Sequence, residues 1–124
     1  MIEKISTNKA PQAIGPYSQA IKFNNMLFTS GQIALDPETM EVVEGDVKVQ
    51  AERVMKNLQA VLEEAGANFD HVIKTTCFLA DMGDFAAFNE VYGKYITNAP
   101  ARSCVAVKEL PKNVLCEVEV IAYL

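Results

Sequence analysis

The sequence holds no tryptophan, a single histidine and only three cysteines among its 124 residues. One histidine, His71, argues against a paired-imidazole acid–base site of the kind RNA cleavage commonly uses. Cys77, Cys104 and Cys116 are odd in number and widely spaced, with no CxxC pair. They form neither a disulfide framework nor a zinc pattern, and each reads first as a small buried hydrophobe. No histidine stands near Cys104 in sequence to activate its thiol, so a protonated side chain that shapes a pocket is the better reading than a nucleophile. No run of lysine or arginine forms a stripe, and the net charge is −5. An acidic chain is poorly suited to neutralising phosphates, so nucleic acid is an unlikely partner. No apolar run approaches the length of a membrane span, and no signal peptide is recognisable. The expectation is a cytoplasmic, soluble protein, one domain over residues 1–124 with no linker, repeat or low-complexity segment.

What the chain has in quantity is apolar surface. Hydrophobic residues make up 50% of it, generous for a chain with room for one core. Part of that content is expected between subunits.

The periodicities give an order of elements. Ser18 to Phe23 and Met26 to Ile33 flank Asn24-Asn25, a credible two-residue hairpin turn because asparagine tolerates positive φ. Pairing Phe23 with Met26 brings Gln19 opposite Ser30, Ser18 opposite Gly31 and Tyr17 opposite Gln32. Asp46 to Ala65 is a helix with Val47, Ala51, Val54, Leu58, Val61, Leu62 and Ala65 inward and Gly66 as its stop. Val72 to Ala80 is a strand. A second helix runs from about Asp84 as N-cap, with Phe85, Phe88, Val91, Tyr92 and Tyr95 inward. With a first strand near Ile2 to Ser6 and two C-terminal strands, the order is β-β-β-α-β-α-β-β. This is an α+β chain with two helices on one face of a mixed sheet, and the other face requires a cover.

The C-terminal strands carry the chemistry. Alternation puts Arg102 and Cys104 on one side of their strand and Ser103, Val105 and Val107 on the other; Glu117 and Glu119 share a face opposite Val118, Val120, Ala122 and Leu124. A guanidinium fork suits a substrate carboxylate, and a glutamate nearby suits the activation of water. Alone, Arg102 reads as a solvated or salt-bridged arginine, and the glutamates as a wet strand face whose drying would raise a carboxyl pKa. Tyr17, after Gly15-Pro16, reads as packing or as an exposed hydroxyl. Ser30-Gly31 is a strand end or a place where ligand meets backbone. Asn89 borders the buried face of the second helix, and His71 reads as structural.

Four segments in order, GPYSQ within APQAIGPYSQAI, LFTSGQIALDPET, VIKTTCFLADMGDFAAFNEVY and PARSCVAV followed by LPKNVLCEVEVIAYL, resemble the Rid family of reactive intermediate (imine) deaminases, also called YjgF-like proteins and historically L-PSP endoribonucleases. The resemblance runs from about Ala10 to Tyr123. Two departures are visible: Met40 where the family often has a turn glycine, and a short segment from Ile96 to Ala99. The resemblance implies a chorismate-mutase-like fold and a homotrimer whose sheets pack into a central barrel, with sites in clefts between subunits. It implies hydrolysis of 2-imino acids, tautomers of enamines such as 2-aminoacrylate released by pyridoxal-phosphate enzymes, to 2-oxo acids and ammonia. Arg102 would hold the substrate carboxylate, with Gly31, Ser30, Asn89 and Cys104 binding and Glu117 and Tyr17 catalytic. No metal or cofactor is called for. Endoribonuclease or translation-inhibitor activity, also attached to the family, and a non-catalytic small-molecule binder using the same cleft are the alternatives. Glu119 is left between interface and surface.

Overall fold

The computed structural model describes residues 1–124. Its elements are β1 (Ile2–Ile5), β2 (Ala20–Phe23), β3 (Met26–Thr29), α1 (Val47–Glu64), β4 (Val72–Leu79), α2 (Phe85–Tyr95), β5 (Ala101–Ala106) and β6 (Cys116–Tyr123). This is the order the periodicities predict.

α1 forms where apolar residues recur at helical spacing, and both its ends are closed. Asp46 accepts at Oδ1 from the Val49 amide at 3.0 Å. At the other end Gly66 takes φ +85, and the amides of Gly66 and Ala67 donate to the carbonyls of Glu63 and Leu62. That is a Schellman closure, which a left-handed glycine permits. The stripe Ala51, Val54, Leu58, Val61 and Leu62 is wholly buried against the sheet. α2 starts differently from expectation. Asp84 stands at its N-cap position but its side chain caps nothing. Asp81 does the capping one turn earlier, accepting from the Gly83 amide at 2.7 Å and opening a short 3₁₀ turn that leads into the helix.

The six strands lie in the order β1-β2-β3-β6-β4-β5. Only β4 and β5 run parallel, because α2 joins them as a crossover. Asn24 turns the β2–β3 hairpin at φ +54, and Phe23 pairs with Met26 as expected. The pairing continues to Ser30, whose amide donates to the Gln19 carbonyl at 2.9 Å. Beyond it the expected register fails: Gln32 bridges to Val118 of β6 rather than facing Tyr17. The chain leaves β2 there, which opens space around Tyr17 and Gly31.

Every strand alternates between two faces. Thr75, Cys77 and Leu79 of β4 are buried beneath the helices, in register with Val120, Val118 and Cys116 of β6. Both helices cover this face. The opposite face is open: Phe23, Phe28, Val105 and Tyr123 lie on it, each between 42% and 48% exposed. So many aromatic and branched side chains in contact with water on one sheet face form an uncovered apolar surface.

Candidate active site: two groups on opposite faces

The sheet register decides where the candidate residues go. Arg102 pairs with Thr75 and Cys104 with Cys77, so both point to the helix face. Glu117 pairs with Phe78 and Glu119 with Thr76, so both point to the open face. The nearness of Arg102 to a glutamate expected from sequence is therefore absent within the chain. The candidate residues form two groups, separated by the thickness of the sheet.

The first group surrounds Arg102. Its Nη1 donates to Asn89 Oδ1 at 2.7 Å, joining β5 to α2. The guanidinium carbon lies 4.8 Å from the Tyr92 ring centroid and 5.5 Å from that of Phe85. Tyr92 is itself tied down, its hydroxyl 2.8 Å from Thr75 Oγ1 in the core. The two ion pairs of the subunit, Lys48–Glu90 and Lys94–Glu52, lie elsewhere. Arg102 is thus half-buried with neutral partners only. Beside it, burial pushes the Cys104 thiol up while the guanidinium pulls it down, and the net shift is upward. Burial pushes Cys77 to about 12. Both thiols stay protonated at neutral pH, as expected for cysteines that shape a pocket rather than attack.

The second group lies on the open face. A cavity of about 510 Å³ is lined by Tyr17, Ser30, Gly31, Met40, Lys112 and Glu117, among others. Gly31 is required here by space: a Cβ on it would stand 2.0 Å from Glu117 Oε2, so the carboxylate lies directly over its backbone. Burial, and then repulsion from Glu119, raise the Glu117 carboxyl pKa above its ordinary value. That is the direction a general acid–base group needs. Tyr17 follows Gly15, which turns at φ +123, and its ring is 55% exposed at the cavity edge. Ser30 is occupied, its hydroxyl donating to the Ser18 carbonyl at 2.6 Å.

Buried amides hold these loops. Gln19 donates from Nε2 to the carbonyls of Thr7 and Pro11 and accepts at Oε1 from the Thr7 amide. Asn57 donates to the carbonyls of Ile33 and Leu35. The strand register places Gln19 opposite Ser30 without indicating that its side chain holds these loops, and the periodicities single out neither Asn57 nor Phe85 and Tyr92 as neighbours of Arg102. The available signal was a polar group in an inward position of a helix or strand, since a buried amide or phenol must find a partner. His71 is structural: its Nδ1 accepts from the Asn68 amide at 3.0 Å and its ring meets Tyr123 edge-on. No three His, Cys, Asp or Glu side chains converge as a metal-ligand set, and no helix is long and apolar enough to cross a membrane.

The geometry has close counterparts. Residues 7–124 match the family model described as Endoribonuclease L-PSP. The chain belongs to the Rid family. A RutC family protein of Synechocystis is 57% identical over 123 residues, covering 97% of this chain and 95% of that one. A chloroplastic Reactive Intermediate Deaminase A of Arabidopsis thaliana is 50% identical over 123 residues, covering 98% of this chain and 66% of that protein. Among solved structures, that of E. coli TdcF with bound serine superposes with a TM-score of 0.93 at 43% identity, over 98% of each chain. The Rid fold, a mixed sheet with two helices on one face, is thereby established for this chain.

Proposed function

We propose that this protein hydrolyses 2-imino acids to 2-oxo acids and ammonia, in sites that pair the Arg102 group of one subunit with the Glu117 group of another in a homotrimer. The carrying observation is the state of Arg102: a half-buried guanidinium held by Asn89 and two aromatic rings, with no acidic partner. A charge so held is free to take a carboxylate in a bidentate pair. The relative named as a reactive intermediate deaminase and the carboxylate-bearing serine bound to TdcF support the same assignment. The open apolar face gives the assembly its reason, since packing copies together removes that face from water.

In this reading Arg102 holds the substrate carboxylate and the Cys104 and Gly31 backbones orient the imine. Glu117, with the Tyr17 hydroxyl, takes a proton from water as its oxygen bonds to the carbon of the protonated imine, whose nitrogen already carries a proton from solvent. Glu117 then returns its proton to the nitrogen of the tetrahedral adduct. The C–N bond breaks, ammonia leaves, and the hydroxyl gives its proton through the Glu117 carboxylate back to solvent as its oxygen becomes the new carbonyl. Imines hydrolyse unaided in water, so a limited acceleration suffices. Each tenfold corresponds to about 1.4 kcal/mol, within reach of orientation alone.

The test is complementation. With imine supplied by a threonine or serine dehydratase, Arg102→Ala and Glu117→Gln homotrimers should each lose at least about a hundredfold in 2-oxo acid formation. Unfolding and reassembling the two variants together should restore a part of wild-type activity, because some clefts then receive both native halves. No recovery on mixing would refute the shared site. Unchanged activity in a folded Arg102→Ala protein would refute the substrate assignment, and cleavage of single-stranded RNA by the wild type but not by these variants would favour a nuclease.

A further inference from the structure

We infer that Tyr92, fixed by Thr75, is a positioning residue that sets the guanidinium of Arg102 for its anionic substrate; this rests on the carboxylate-binding role given to Arg102 above. Three elements meet at this point. Arg102 comes from the edge strand β5, Tyr92 from α2 and Thr75 from the central strand β4. The Tyr92 ring stands 4.8 Å from the guanidinium carbon and is the nearer of the two aromatic faces. Its hydroxyl meets Thr75 Oγ1 at 2.8 Å. Thr75 is wholly buried and Tyr92 8% exposed.

A phenylalanine at 92 would fill the same volume without bringing a hydroxyl into the core, where each polar group must be matched at a cost in desolvation. The hydroxyl pair has a geometric consequence that a phenyl ring lacks. It pins the far end of the ring to the sheet and so fixes which way the ring face is turned. Phe88 supports it from the helix side, its centroid 5.8 Å from that of Tyr92. The guanidinium then rests against a fixed, electron-rich face. Asn89 engages one nitrogen, Nη1, which leaves the other donors of the fork for a carboxylate. A carboxylate in place of the ring would hold Arg102 as firmly but would consume the charge the substrate needs. A neutral π face positions without neutralising. The arginine sits on an edge strand with a long flexible stem, so without this support its fork would sample many orientations, and ordering it would weaken binding.

The expected readout is a split between binding and turnover. Tyr92→Leu, which removes the face, should raise KM about tenfold with little change in kcat, and should weaken binding of 2-oxobutanoate, an unreactive carboxylate probe, by a similar factor. Tyr92→Phe keeps the face but frees its far end, and Thr75→Val does the same from the other side; both should give smaller KM increases of similar size. The Arg102 Nε–H resonance should carry a ring-current shift in the wild type that Tyr92→Leu loses and Tyr92→Phe largely keeps. A purely structural role would lower the melting temperature of Tyr92→Leu while leaving KM, probe affinity and the resonance of the folded protein at wild-type values, and that result would overturn the inference. A wild type that neither binds 2-oxobutanoate nor hydrolyses imines would instead overturn the proposed function, with the resonance still reporting on the ring.

Discussion

Arg102 and Glu117 face opposite sides of one sheet, and their surroundings are as different as their positions. The cation rests on neutral groups, an amide oxygen and two ring faces, that hold it without opposing its charge. The anion is held against its preference, half-buried over Gly31 with Glu119 on the same strand face. A group that must bind a constant anion gains from a stable charge. A group that must take and return a proton gains from an unstable one. Under the proposed function, the surroundings of Arg102 and of Glu117 suit these separate tasks.

Glu117→Gln offers the sharpest test of that contrast, because activity and stability should move in opposite directions. The amide cannot take the proton, so activity should fall at least about a hundredfold. A carboxyl whose folded pKa lies above its unfolded value contributes stability in full below the unfolded pKa, and loses it as pH rises through the folded one. Glu117 has such a raised pKa, through burial first and Glu119 second. The melting temperatures of wild type and Glu117→Gln should therefore nearly coincide below the ordinary carboxylate pKa, and at neutral pH the variant should melt higher. Activity of the wild type should rise with pH through the same raised value. A variant less stable at neutral pH than at low pH, relative to wild type, would show that the site welcomes the charge and would end the contrast.

Gly31→Ala attacks the same half without touching the carboxylate itself. The added Cβ would stand 2.0 Å from Oε2 and 2.8 Å from Cδ of Glu117, so the side chain must swing away. Since an error of about 1 Å in a catalytic group can cost on the order of a hundredfold, kcat should fall by about ten- to a hundredfold. Binding of 2-oxobutanoate at the Arg102 half should change less. Equal losses in binding and turnover would mean that Gly31 acts through the backbone and not through Glu117.

The sequence carried the elements and the alternation within each strand, but not the relation between strands. That Arg102 and Cys104 share a face follows from their spacing, as it does for Glu117 and Glu119. Whether those two faces are the same depends on β4, which lies between β5 and β6 and pairs with each. That register is a tertiary fact. The hairpin register was legible up to Ser30 because a two-residue turn dictates it, and it failed beyond because Gln32 bridges to β6, a partner distant in sequence. The helix at Asp46 was legible with its cap. Asp84 occupies the N-cap position that the sequence predicts but makes no side-chain cap bond, because Asp81, also an aspartate before an apolar run, caps the preceding 3₁₀ turn. Tyr92 was read as an inward position, which is correct, but a helical period does not tell which strand side chain it meets.

The smallest effect concerns Met40, which is among the residues lining the Glu117 cavity. It adopts φ +61, the left-handed region in which a side chain is strained. Holding that conformation costs a residue other than glycine about 1–2 kcal/mol, while glycine brings roughly 0.5–1 kcal/mol of extra unfolded-state entropy. Met40→Gly should therefore stabilise the protein by only about 0.5 kcal/mol, read as a small rise in denaturation midpoint at constant slope. The strain alone predicts no kinetic change. The thioether, however, is removed from the cavity wall in the same step, so an altered preference between a short and a long imino acid would show that Met40 meets the substrate side chain. An unchanged ratio of kcat/KM for 2-iminopropanoate and 2-iminobutanoate would assign Met40 to the loop alone. It would leave discrimination at this half to Tyr17, which is exposed at the cavity edge, and to the Glu117–Gly31 contact.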